Sequence, residues 1–282
     1  MWHRLAQHLF SPVDAMPLTV FRIILVLGLA LHFLPATFAH RSNYAHNIVR
    51  FPVILPELGE FLVGVPGSMQ VTHIVFVLAL VGAATLRATR LFFSLIVLCL
   101  YVYLSVNALN TNTLGLWPTL NICTLFAVLP SGNPRYTLSP SFIPGIWFGS
   151  APRLLPVLIL IQVLGAFFFA GLEKLLAGWY ASDPMKEFLS LPSGSIVRPW
   201  VYSLFSGGVP GFLSVILTIA TLTGEIVLPV MAIFRKYRSI VFLSFEIFFA
   251  GVMLVLDIPP LFYLIFAGGA LLLLTRDAPT GK

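Results

Sequence analysis

Apolar residues run along this chain in long uncharged blocks separated by short polar breaks. A bilayer's hydrocarbon layer is about 30 Å thick, and a helix crosses it in about 20 residues. Blocks of that length predict eight spans, over 18–38, 69–86, 91–109, 114–130, 154–177, 211–234, 239–256 and 259–275. Pro118 interrupts the fourth. Most connections are short, so neighbouring helices are expected to lie antiparallel in one bundle. The fold class that follows is all-α, a polytopic transmembrane helix bundle forming a single domain over 1–282.

Within that domain the bundle occupies 17–276, preceded by an interfacial helix over 1–16. In that first segment Trp2, Leu5 and Leu9 recur at helical spacing opposite His3, Arg4 and His8. Two connections are longer, about 39–68 and 178–210. They carry "FPVILPELGEFLVGV" and "IVRPWVYSLF", pieces too short to span and too apolar to float free. Such pieces are expected to lie as interfacial or re-entrant segments across one mouth of the bundle.

Composition agrees with the pattern. The chain is 59% hydrophobic and 9% charged, with a mean hydropathy of +0.98, which excludes an ordinary water-soluble fold. The net charge of +6 would suit nucleic acid only on a soluble basic surface, and the chain has no such domain. Its cations report orientation instead. Arg4, Arg87, Arg90, Arg135, Arg153, Arg235, Lys236, Arg238, Arg276 and Lys282 fall on one side of the predicted spans, against Arg41, Arg50, Lys186 and Arg198 on the other. That asymmetry predicts both termini in the cytoplasm of a plasma (inner) membrane protein. The first block carries Arg22 and runs too long for a cleaved signal, so it reads as a retained helix. Cys99 and Cys123 lack metal-ligand spacing and are expected to be buried thiols; no metal site is expected.

The charges inside the apolar blocks carry the chemistry. "FFFAGLEKLLAGW", residues 167–179, sets Glu173 beside Lys174 at the end of an uncharged run. In a continuous helix Lys174 lies about 7 Å beneath Trp179. Its stem could therefore snorkel to the interface. Alternatively the amine is sheltered in a poorly solvated pocket, where a lysine can act as a general base. Adjacent helical positions diverge by about 100°, so Glu173 and Lys174 each need another partner. Gln162, Ala166, Ala170 and Glu173 share one flank, and Gly165, Ala166, Ala170 and Gly171 are read as marks of close helix contact.

Elsewhere, Arg22, Glu225 and Glu246 are expected to form a structural charge cluster. Asn107, Asn110, Asn112 and Asn121 gather near the turn between the third and fourth spans, where they could line a polar pocket or cap helices. His32 and His73 read as packed or interfacial histidines.

Two stretches, "SPVDAMPLTVFRI" with its Asp14 and Arg22, and "FFAGLEKLLAGW", together resemble the HTTM family, the membrane domain shared with vitamin K-dependent gamma-glutamyl carboxylase. "GEIVLPVMAIFRKYRSIVFLSFEIFF" is similar to the family's later helices. The resemblance implies that Lys174 is the base that helps oxygenate reduced vitamin K, or another quinol, so that a glutamyl γ-proton can be removed for CO2 addition. On this reading Glu173 shares the catalytic site with Lys174, and Asn110, Asn112, Gln162 and Trp179 shape an outward-facing pocket. The chain departs from the family in reading "NALNTNTLGLW" where a histidine is often found, and in carrying Glu246 where another often stands. The implied partners are membrane lipid, a quinone, and a peptide or secreted protein substrate. A second reading is a non-catalytic membrane protein that binds a peptide or lipid or assists maturation or export of a secreted factor. Proton transport through Glu225 and Glu246 is a third.

Overall fold

The computed structural model describes residues 2–39, 61, 65–84, 89–107, 113–129, 150–179, 211–255 and 260–277. These form a mostly helical molecule. Its helices are α1 (Trp2–Leu9), α2 (Met16–Ala39), α3 (Ser68–Ala84), α4 (Thr89–Asn107), α5 (Thr113–Val128), α6 (Leu154–Leu176), α7 (Gly211–Ala232), α8 (Arg238–Val255) and α9 (Pro260–Ala270). Short 3-10 turns follow α7 and α9, at Arg235–Tyr237 and Leu271–Leu274. A helix stands at each of the eight apolar blocks. Among the described residues, three stretches are long and apolar enough to cross a membrane: Met16–Phe33, Leu154–Leu176 and Gly211–Ala232. Shorter apolar helices cover Gln70–Ala84, Thr89–Tyr103, Pro118–Val128 and Leu261–Leu274.

Aromatic rings fill the interior. Phe167 of α6 meets Phe245 and Phe249 of α8 and Phe266 of α9, with ring centroids 5.0, 5.3 and 6.0 Å apart. Small residues bring the helix axes together around them. A side chain at Gly268 would strike Ile24 of α2, and one at Gly269 would strike Val163 of α6, so α9 is wedged between those two helices. The outer faces of the described helices carry many apolar side chains. On α3, Val71, Ile74, Leu78 and Val81 recur at helical spacing and each is more than half exposed. A face of that kind suits lipid and not water.

The N-terminal segment departs from expectation. It is not one helix over 1–16: α1 stops at Leu9, and Pro12–Asp14 form a strand, β1, antiparallel to β2 (Ser150–Pro152). The chain's last described residues join them. Val13 bridges Asp277, and the Asp14 N–H donates to the Arg276 carbonyl at 2.9 Å. Backbone pairing between such distant segments has no local pattern to announce it. Both long connections, 39–68 and 178–210, lie almost wholly outside the described residues.

Candidate functional site

The helix that carries Lys174 ends in a defined way. Gly178 takes φ +75°, a left-handed conformation that a side chain disfavours. The Gly178 N–H donates to the Leu175 carbonyl and the Trp179 N–H to the Lys174 carbonyl, at 3.2 and 3.1 Å. This double closure is the Schellman motif. It turns the chain back on itself. Trp179 therefore does not stand 7 Å above Lys174, as a continuous helix would place it; the indole lies with its ring centre 5.1 Å from Lys174 Nζ. An ammonium over an indole face is held by the ring's quadrupole.

Lys174 Nζ donates to Glu225 Oε1 of α7, an ion pair between the two helices. The lysine side chain is 24% exposed and the glutamate 7%. Gly171 makes the pairing possible. A Cβ there would sit 2.7 Å from Glu225 Cβ and 2.9 Å from Ile226 Cγ1, so only glycine lets α7 come in so close. Lys174 lies three residues further along and so on the same flank of α6 as Gly171. The second carboxylate oxygen, Glu225 Oε2, is buried and has no hydrogen-bond partner among the described residues.

Two features of α7 surround that carboxylate. Pro229 has no N–H to give the Glu225 carbonyl four residues earlier, which loosens the helix at this point. Ser214, Thr218 and Thr221 share the buried face with Glu225, at 0%, 4% and 9% exposure. Thr218 Oγ1 is also buried without a partner among the described residues. The spacing of 214, 218, 221 and 225 was readable in the sequence as a polar stripe on an apolar helix. Hydroxyls that can bond their own backbone attract little notice there, and the stripe was missed. The two helices also end at different heights. α6 stops two residues past Lys174, while α7 continues for 14 residues beyond Glu225 toward its start, about 21 Å.

Several expected site residues lie elsewhere. Glu173 is exposed and takes no part in the pair; Glu225 holds the lysine instead. Gln162 lies 12 residues before Lys174 on α6, about 18 Å along the axis, and accepts a bond from Asn121 Nδ2 at 3.3 Å. It ties α5 to α6 and does not border the amine. The expected cluster of Arg22, Glu225 and Glu246 is not assembled. Arg22 Nη1 donates to Thr89 Oγ1 of α4 at 3.2 Å, and Glu246 Oε1 is buried without a partner among the described residues. Gly171 sets Glu225 against α6, where Lys174 takes it. Gly165 makes no close helix contact, because a Cβ there would meet nothing within 4 Å. Asn110 and Asn112 lie outside the described residues, as does the side chain of Asn107. His73 Nδ1 bonds Tyr103 Oη at 3.2 Å and the His32 ring packs on Phe33, so both are held by their neighbours. Cys99 and Cys123 are buried free thiols.

At one end of the bundle, Arg153 donates to Asp277 and bonds the His8 ring at 2.9 Å. Arg235 reaches the same Asp277 at 4.0 Å. Searches for similar proteins found no matching family, characterised protein or solved structure.

Proposed function

We propose that the chain is a membrane-embedded enzyme of the vitamin K-dependent carboxylase kind, with Lys174 and Glu225 as its proton-handling pair. The observation that carries this reading is the Lys174–Glu225 contact, with its second carboxylate oxygen buried and unpartnered. In this reading eight helices cross the plasma (inner) membrane and both ends of the chain lie in the cytoplasm. The apolar outer faces support lipid contact.

The residues suit a quinol hydroxyl. They offer an amine to take its proton, a carboxylate oxygen to accept a hydrogen bond, and an indole to pack against a flat ring. A reduced quinone, when bound, would supply through its oxygenation by dioxygen the strong base able to remove a glutamyl γ-proton. The chain's own part is smaller. Moving a proton across the contact from ammonium to carboxylate leaves a neutral Lys174 amine, which can then accept the hydroxyl's proton. Lys174 is then an ammonium again and Glu225 holds the net proton, which leaves to water at the partly exposed end of the contact before the next cycle. Trp179 covers one side of the amine.

The test is incorporation of labelled CO2 into a glutamyl peptide by the protein in nanodiscs with a reduced quinone. Lys174→Ala should abolish turnover, and Lys174→Arg, which keeps the ion pair but not a base, should lose at least about a hundredfold. Full turnover by Lys174→Arg would end the catalytic reading.

A second reading, a non-catalytic protein that binds a lipid or peptide, is favoured by one observation: Lys174 is already satisfied by Glu225 and Trp179. That reading expects Lys174→Arg to keep full function in ligand retention, with no quinone-dependent CO2 incorporation by the unmodified protein.

A further inference from the structure

Further along α6 and α7, away from Lys174, the two helices part around a groove of about 410 Å3. That volume is in the range of small-molecule sites. Leu160, Leu164 and Phe168 of α6 face Pro229 and Ile233 of α7 across it, and Gly165 forms part of the wall. A Cβ at Gly165 would meet nothing within 4 Å, so the space there is empty. Of the residues that line the groove, Arg238 alone is charged.

Arg238 is aimed by its backbone contact. Its Nε donates to the Ala232 carbonyl at 3.3 Å, capping the end of α7. The terminal nitrogens carry no hydrogen bond among the described residues. Like charges surround them. Arg235 and Arg153 repel Arg238, and Lys236 is exposed in the same turn, its Nζ over the Tyr237 ring. The acid that faces these cations, Asp277, is held by Arg153 with Arg235 beside it. The end of the groove is therefore short of negative charge while its length is apolar. A free anion would match the first property and not the second, and an uncharged lipid the reverse.

We propose that this groove binds an anionic phospholipid, an acyl chain lying between α6 and α7 and the phosphate held at Arg238. The site rests on membrane embedding and is independent of the chemistry assigned to Lys174. Basic pockets between membrane helices recognise anionic headgroups in this way.

Full-length protein purified in a non-ionic detergent tests it, by thermal melting and by mass spectrometry of retained lipid. Phosphatidylglycerol should raise the melting temperature and be retained at about one molecule per chain. Phosphatidylcholine with the same acyl chains should do neither, and nor should glycerol 3-phosphate. Arg238→Gln should weaken phosphatidylglycerol binding by about tenfold. Gly165→Leu should abolish binding with the fold intact, since it fills empty space on a helix. Equal binding of the two lipids overturns the proposal, as does protection by glycerol 3-phosphate alone. Phosphatidylglycerol binding unchanged in both variants overturns it too. Release of the wild-type protein from membranes by alkaline carbonate would instead remove the embedding on which both readings rest.

Discussion

Lys174 and Glu225 are 51 residues apart and each is costly to bury alone. In an apolar bundle the loss of either partner leaves an uncompensated charge, which costs about 3–5 kcal/mol, whereas replacing both with apolar groups is close to neutral. The expected outcome is a strongly non-additive cycle. Lys174→Met and Glu225→Leu should each lower the melting temperature sharply, and the double variant should recover most of the loss. Equal and additive losses would show that the contact does not form. Gly178 offers a subtler test. Alanine at its positive φ should cost about 1 kcal/mol. It should also free Trp179 from the lysine, readable as a red shift in Trp fluorescence beyond any change in Gly67→Ala, a second positive-φ glycine that adjoins no such contact among the described residues.

At the scale of helices, two glycines on α6 separate by what they face. Gly171 abuts Glu225 and Ile226, so Gly171→Ala must push α7 away, at about 1–3 kcal/mol. Gly165→Ala fills open space and removes a helix-weakening glycine, so it should be neutral or stabilising by up to about 1 kcal/mol. Melting temperatures of the two variants check the assignment, and a reversed order would mean that α6 and α7 pack in another register. Both glycines look alike in "VLGAFFFAGLEKLL", and the sequence could not tell a contact from a groove. What it could tell was the existence and placement of the helices, because helices apolar on their outer as well as their inner faces write long apolar blocks. Partners across helices depend on register, which apolar blocks do not specify. That is why Lys174 stood out as a candidate while Glu225 was assigned to Arg22, and why the short strands β1 and β2 left no signal.

At the scale of the whole molecule, β1 gathers the beginning of the chain, the entrance to α6 and the last described residues at one end of the bundle. Reporter tags on the two termini should therefore be reached by a protease from the same side of a vesicle; protection of one tag and cleavage of the other would contradict the Val13 to Asp277 bridge. The meeting of the ends also has a consequence for topology in a bilayer. A chain that starts and finishes on one face crosses an even number of times. In the proposed eight-span reading this requires an even number of crossings both between β1 and β2 and between β2 and Asp277, so the three long helices are joined there by shorter apolar ones.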